Sequence, residues 1–170
     1  MKKFAIALAT ASALIASANS VAATSTGTIV VTANVISSCI VTAVPLAFGI
    51  YDGNSTTNTT ASTPVTLVCA GTSTATLTLN NGESYAGSTR RMKNGLGTEY
   101  LSYGLFKPTS ATPLAACAYT TPWDATTDGS LAPIGLGLTA AVFNVCGSIP
   151  LGQNVGFGLY TDNVIVTATF

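Results

Sequence analysis

The C-terminal segment "GLYTDNVIVTATF" (158–170) alternates between side chains of different character from Asn163 onwards. One face would carry Val164, Val166, Ala168 and Phe170, and the other would carry Ile165, Thr167 and Thr169. This period of two predicts a β-strand. No residue follows it to turn back and pair, so the sequence raises the question of what completes the sheet at this strand.

The first residues are typical of a targeting signal. Lys2 and Lys3 precede the apolar run "FAIALATASALIASA" (4–18), and small residues follow up to Ala23. The run is shorter than the roughly 20 residues that a membrane helix needs. We therefore predict a secretory signal peptide over 1–23, cleaved after Ala22 or Ala23, rather than a short membrane anchor. The mature chain is expected to be soluble and exported.

Composition indicates a single all-β domain. About 147 residues would remain after cleavage, which suits one domain with a sizeable core. Charged residues are only 7% of the chain, and β-branched residues are abundant. Strand-like segments recur about every ten residues between turn-rich stretches, which is typical of a β-sandwich.

Charge argues against a nucleic-acid partner. Loss of Lys2 and Lys3 would leave four basic against six acidic residues. Arg90, Arg91 and Lys93 form the one basic cluster, and we interpret them as part of a solvated turn. A nucleic-acid-binding protein needs a larger basic footprint than this.

Four cysteines in an exported chain predict two disulfides. The sequence alone allows three pairings. We favour Cys39 with Cys69 and Cys117 with Cys146, because each pair closes a loop of about 30 residues between strand-like segments. The chain has no histidine and no closely spaced cysteines, so the ligand pattern of a zinc site is absent.

The chain offers little for catalysis. Without histidine there is no Ser–His or Cys–His pair. Asp124 and Asp128 could act as an acid–base pair or bind calcium, but "WDATTDGS" lacks the ligand spacing of a calcium loop, and turn capping is the favoured role. Trp123 and the tyrosines could form a sugar-binding platform, although packing is the favoured role. We predict no enzyme activity, no metal and no cofactor.

Period-two patterns and turn residues divide the chain into strands and loops. The predicted strands cover 27–39, 39–44, 46–51, 64–69, 75–80, 99–106, 140–149 and the segment from 163 onwards. The predicted loops are 52–63, the turn-rich stretch 81–97 and the irregular region 107–137. No amphipathic helix is predicted.

A second alternating segment lies at the start of the mature chain. Ile29, Val31, Ala33 and Val35 fall on one face, and they precede the first cysteine. Either this segment is an ordinary first strand of the sandwich, or it is a detached strand that completes the sheet of a different subunit.

Several motifs together resemble one known family. These are "CIV" at 39, "LAFGIYD", "VTLVC", "RRM", "YLSYGLF", "PWD", "GSIPLGQ" and "GLYTDNVIVTATF". Taken in this order they resemble the spore coat protein U domain family, which includes the pilin subunits of archaic chaperone–usher pili. The resemblance covers almost all of the mature chain. Two departures are Trp123-Asp124, where the family has Trp-Gly-Asp, and the additional cysteines Cys117 and Cys146.

The resemblance implies an incomplete immunoglobulin-like β-sandwich that a donor strand from another subunit completes. Residues 1–23 would be the signal peptide, 24–37 the donor-strand segment and 38–170 the pilin domain. By this resemblance, Ile29, Val31, Ala33 and Val35 would be the donor side chains. Part of the edge that accepts the donor strand and binds the chaperone would be formed by Val164, Val166, Ala168 and Phe170.

The function that the resemblance implies is that of a structural subunit of an archaic chaperone–usher pilus. Its partners would be further copies of itself, a periplasmic chaperone, an outer-membrane usher and a tip adhesin, and its place would be the cell surface. Adhesion and biofilm formation would follow from the filament. The alternatives are a secreted coat or matrix protein that does not polymerise, and a carbohydrate-binding adhesin module.

Overall fold

The computed structural model describes residues 24–70, 75–126 and 139–170. The predicted signal peptide and Asp128 lie outside the described residues. The chain divides into two units, Met1–Ala33 and Asn34–Phe170. Residues 24–37 contain no strand, so the strand predicted over 27–39 begins only at Ser38. Extended backbone needs a hydrogen-bonded neighbour to become a strand of a sheet.

The described residues form β-strands and loops and contain no helix. This part of the chain therefore includes no helix that could cross a membrane. The strands are β1 (Ser38–Ala43), β2 (Thr59–Ala70), β3 (Thr76–Leu79), β4 (Arg90–Asn94), β5 (Tyr100–Pro108), β6 (Cys117–Pro122), β7 (Ala141–Ile149), β8 (Tyr160–Thr161) and β9 (Val166–Thr169). The all-β prediction is confirmed.

The strands form two antiparallel sheets. The larger runs in the order β1-β2-β7-β5-β4-β8, and β6 also pairs with β5. The sheet curls along β5, because Tyr100–Tyr103 pair with β4 while Gly104–Phe106 pair with β7. The smaller sheet is the pair β3–β9, in which Leu77 lies opposite Ala168.

The core lies between these sheets and follows the period of two. Val65, Leu67 and Cys69 of β2 are buried, and so are Ala141 and Phe143 of the neighbouring β7. From the smaller sheet, β3 contributes two leucines to the same cluster. Trp123, just after β6, is fully buried beneath them. The two sheets therefore share one continuous apolar core, as in a β-sandwich.

All four cysteines are paired in the structure. Cys39 is bonded to Cys69, and Cys117 is bonded to Cys146, which are the pairs favoured from the sequence. The first bond joins directly opposed residues of β1 and β2. The second joins β6 to β7. The disulfides thus fix the first strand to β2, and the irregular region of the chain to the neighbouring strand β7.

The interpretation of Arg90 as part of a solvated turn is wrong. Arg90 begins β4 and is only 7% exposed. Its guanidinium donates to the backbone oxygens of Asn80 at 2.7 Å, Trp123 at 2.8 Å and Leu79 at 3.2 Å. Burial lowers the pKa of Arg90, and the nearby Tyr103 and Asp124 act in the opposite direction. Three carbonyls replace the water that this cation loses, which is what makes its burial tolerable.

Four other predictions need correction. The predicted strand 46–51 is not a strand, because Pro45 lacks an N–H and Gly49 has a φ of 76°, outside the extended region. By contrast, β4 forms inside the stretch 81–97, and β6 forms inside 107–137. The strand predicted over 64–69 begins earlier, at Thr59, because β7 is long enough to pair with it as far as Ile149.

We predict that the mature protein contains no free thiol. A peptide map under non-reducing conditions should recover Cys39 linked to Cys69 and Cys117 linked to Cys146. Recovery of a Cys39–Cys117 peptide would contradict the fold, since it would require a different arrangement of β1 and β6.

Candidate functional site: an apolar groove between two sheet edges

Two strands at the edge of the sandwich have one hydrogen-bonded neighbour each among the described strands. β1 pairs with β2, and β9 pairs with β3. The two strands contact each other without forming a backbone ladder. Each therefore keeps a row of N–H and C=O groups that can pair with an added strand.

The inward side chains of these two strands are incompletely covered. Cys39 and Val41 of β1, and Val166 and Ala168 of β9, pack on the core but are only half-buried. Their counterparts on the central strands β2 and β7 are fully buried. The core is therefore incompletely covered along the line between β1 and β9.

Beyond the ends of β1 and β9 this line widens into a cleft of about 460 Å³. Residues 43–48 border it on one side and residues 160–166 on the other. Core side chains form its floor, among them Val65, Leu79, Leu105 and Val145. The cleft thus gives an incoming apolar side chain direct access to the centre of the sandwich.

A second cleft of about 1030 Å³ continues from the first, between residues 46–54 and 152–161. The two share Leu46, Phe48, Met92, Tyr160 and Thr161. They are therefore two halves of one groove. We call this the strand groove.

Gly147 allows one wall of the strand groove to lie close to the sheet. A Cβ atom at this position of β7 would lie 2.5 Å from Leu46 Cδ2 and 2.7 Å from Phe48 Cζ. Any larger residue would push both side chains off β7. Phe48 also packs edge-on against the Tyr103 ring, with the centroids 6.1 Å apart.

A polar cluster fixes the opposite wall. The Tyr103 hydroxyl donates to Asp162 Oδ2 at 2.6 Å, and the Glu83 N–H donates to Asp162 Oδ1 at 2.8 Å. Gly82, with a φ of 80°, leaves room for this carboxylate, which a Cβ atom there would strike. Burial raises the pKa of Tyr103, and so does the bond to Asp162, so the phenol stays protonated and remains a donor. The chain entering β9 is thereby tied to β5.

The four predicted donor side chains are exposed in the structure. Ile29 and Val31 are 87% exposed, Val35 is 83% exposed, and Ala33 is also exposed. Of the predicted acceptor residues, Val164, Val166 and Ala168 face the core, whereas Phe170 at the chain end is exposed. The roles assigned to both sets stay predictions.

Sequence reasoning missed half of the groove. Leu46, Phe48, Met92 and Tyr103 line it, whereas the residues named from the sequence all lie in the C-terminal segment, as one part of the edge. The inward positions 46 and 48 could have been found from the alternation of "LAFGIY". Met92 and Tyr103 could not, since only the fold brings β4 and β5 to this edge.

The other candidate sites have structural explanations. Trp123 is fully buried, and its indole N–H donates to Leu77 O at 3.1 Å, so it cannot be part of a sugar platform. Asp124 caps a turn, accepting from the Thr126 N–H at 2.8 Å. The hydrogen bond from the Thr126 side chain lowers the pKa of Asp124. The described residues contain no group of acidic or cysteine side chains suited to a metal ion.

Comparison with solved structures defines the fold class. The chain is similar to a chain in the crystal structure of the CsuC–CsuE chaperone–tip adhesion subunit pre-assembly complex from archaic chaperone–usher Csu pili of Acinetobacter baumannii. The TM-score is 0.58 at 21% identity, over 80% of this chain and 40% of that chain. At this identity the likeness establishes the fold, which is the immunoglobulin-like sandwich of pilus proteins.

Sequence comparison establishes the family. The model of the Spore Coat Protein U domain matches residues 25–167. The chain is also 39% identical to Protein U of Myxococcus xanthus, over 99% of this chain and 98% of that protein. The protein therefore belongs to the Spore Coat Protein U domain family. The match includes the exposed segment that precedes β1.

We predict that Tyr103→Phe destabilises the wall of the groove without changing the fold. The variant loses one hydrogen bond to a carboxylate, which should lower the free energy of unfolding by about 1–2 kcal/mol. Urea unfolding of matched preparations measures this. Tyr119→Phe is the control, because the Tyr119 ring packs edge-on against Phe106 and its hydroxyl has no hydrogen bond to another described residue. Equal stability of the two variants would show that the Tyr103–Asp162 bond does not hold the wall.

Proposed function

We propose that this protein is the structural subunit of a surface filament and polymerises by donor-strand exchange through an archaic chaperone–usher pathway. One observation carries the proposal: the same chain contains an open strand groove and an exposed alternating segment of the right character to fill it. The segment comprises Ile29, Val31, Ala33 and Val35, which we call the donor side chains. The groove is the line between β1 and β9 with its two clefts.

The two surfaces are chemically complementary. The groove offers unpaired backbone groups on two edges and an apolar floor, and an alternating segment supplies both a ladder and side chains on one face. Burial of each Ile or Val side chain contributes roughly 1.5–3 kcal/mol. Three such residues, together with a backbone ladder on both sides, would make a joint that dissociates slowly.

The chain around the donor segment favours insertion into another copy. Only Ile36 and Ser37 separate Val35 from the first residue of β1. To fill its own groove, the segment would have to turn back beside β1 through a very short hairpin. Two-residue hairpins need residues with positive φ, such as Asn-Gly, and a β-branched residue such as Ile36 disfavours that conformation. Insertion into a neighbouring molecule needs no such turn.

Before assembly the open groove would be a hazard, because exposed strand edges and apolar floors promote aggregation. A periplasmic chaperone that lends its own strand would cover it, and an outer-membrane usher would exchange that strand for the donor segment of the next subunit. The fold neighbour comes from a complex of a chaperone with a tip adhesion subunit, which supports such partners here. Export would begin with the signal peptide 1–23. Adhesion and biofilm formation, with a tip adhesin at the filament end, would follow.

A coat or matrix protein is the second candidate function. It is favoured by the full-length similarity to Protein U and by the name of the family. The same groove would then join subunits into a surface layer instead of a thin filament, or would be filled without polymerisation. Electron microscopy of native material distinguishes these states by their shape.

We predict that Val31→Asp abolishes polymerisation while the subunit itself folds. A carboxylate placed in the apolar groove of a neighbour, without a partner, costs several kcal/mol. In the native host, the variant should accumulate in the periplasm in its chaperone-bound form, and negative-stain images should show no filaments. Val30→Asp is the matched control, because Val30 would point away from the groove and the variant should still polymerise.

If Val31→Asp prevents folding of the chaperone-bound subunit, residues 28–36 are an ordinary core strand and the proposal is wrong. If Val30→Asp and Val31→Asp impair polymerisation equally, the assigned face of the donor segment is wrong.

We predict a different result for Val166→Asp. Val166 packs on the subunit's own core and lines the groove. A charge there should reduce the amount of folded subunit as well as the number of filaments, which immunoblots of periplasmic extracts can measure. Normal subunit levels with this variant would place β9 outside the acceptor edge.

A further inference from the structure

Four large apolar side chains are exposed together at one end of the strand groove. Ile50 and Phe157 are each 93% exposed, and Leu96 and Leu159 are also exposed. Ile50, Phe157 and Leu159 line the same cleft. The Gly95 N–H donates to Leu159 O at 2.9 Å and so brings the turn that carries Leu96 beside them. We call these four residues the loop-end patch.

The loop 152–159 is held to the body of the domain by its polar groups. Gly156 N donates to Glu99 Oε2 at 2.8 Å, Asn94 Nδ2 donates to Phe157 O at 3.3 Å, and Gln153 N donates to Tyr51 Oη at 2.8 Å. These contacts occupy the backbone and leave the apolar side chains of Phe157 and Leu159 facing outwards. The loop thus presents them in a defined position.

Such a cluster points to an interaction surface. Single apolar residues on a surface are ordinary, but four adjacent ones rarely stay uncovered. None of the described residues that line this cleft carries a charged side chain. The surface would therefore suit an apolar protein partner better than a charged ligand.

The position of the patch indicates which partner covers it. In the first cleft, residues 43–48 lie opposite residues 160–166. In the second cleft, residues 46–54 lie opposite residues 152–161. The groove therefore runs from β9 to the loop-end patch. A donor segment antiparallel to residues 160–169 would leave the groove at this patch. Because only Ile36 and Ser37 link Val35 to Ser38 at the start of β1, at most about 11 Å would separate the groove from the body of the donor copy.

The first residues of the donor subunit's own domain also expose large apolar side chains. Ile36 lies in the link, and Ile40 lies on the outward face of β1; both are exposed. We infer that the loop-end patch of one subunit packs against Ile36 and Ile40 of the next copy, and so fixes the angle between successive subunits. This inference rests on the proposed polymerisation, and it adds a second contact surface beside the donor strand.

Site-specific photo-crosslinking in the native host tests the contact. A benzoylphenylalanine at Phe157 should link neighbouring subunits in filaments, and mass spectrometry should place the attachment within residues 36–40 of the other copy. A benzoylphenylalanine at Leu114 is the control. Leu114 is also exposed and apolar, but its N–H bonds to Val142 O, at the opposite end of β7 from the patch. It should give no such product.

Each outcome decides the matter. Filaments that form without a product specific to position 157 would overturn the inference and leave donor-strand polymerisation standing. A product attached to the chaperone or to another protein, instead of to residues 36–40, would overturn it in the same way. If the unmodified chain forms no polymer at all, the proposed function fails and the inference fails with it.

A charge-swap series gives an independent test. Leu159→Asp should lower the temperature at which filaments dissociate in detergent, while Leu114→Asp should leave it unchanged. Combining Leu159→Asp with Ile40→Lys should restore part of the loss, because the two side chains would then attract each other. Wild-type stability of the Leu159→Asp filaments would contradict the contact. A double variant no more stable than Leu159→Asp alone would contradict it as well.

Discussion

Unsatisfied backbone hydrogen bonding along one line of the sandwich explains much of the rest of the molecule. β1 and β9 each have a neighbour on one side, and the side chains between them are half-covered. Neither strand has a second paired strand among the described residues. The cost of leaving this edge open is the physical basis of the proposed partner strand. Under that proposal, the exposed segment with Ile29 and Val31 would supply it.

The rest of the domain keeps the groove open by holding its two walls apart. Cys39–Cys69 fixes β1 to β2, and the packing of Phe48 over Gly147 fixes the chain beyond it. On the other side, Asp162 is bound by Tyr103 of β5 and by the backbone at Glu83. Buried Arg90 joins three backbone carbonyls beneath the sheet. The walls are therefore organised by contacts within the domain, and some of these side chains also line the groove. The groove is thus formed without a strand bound in it.

Local patterns predicted much of the fold, and long-range contacts explain what they missed. The period of two located β2, β5, β7 and β9, since each packs one face on the core. It failed at 46–51, where Pro45 and Gly49 prevent a ladder although the side chains still alternate. It also missed β4, because an arginine such as Arg90 is expected at the surface from its sequence alone. Only the fold shows that the carbonyls of Asn80 and Trp123 accept hydrogen bonds from its buried guanidinium. The lining of the groove was only half predicted, because sheet topology brings Met92 and Tyr103 to it.

A cryo-electron microscopy reconstruction of the native assembly tests the central claim most directly. The account predicts continuous density for residues 28–36 of one molecule between β1 and residues 164–169 of its neighbour, with Ile29, Val31, Ala33 and Val35 pointing into the sandwich. Density that places this segment in the groove of its own molecule, or a particle that is a monomer with the groove empty, would contradict it.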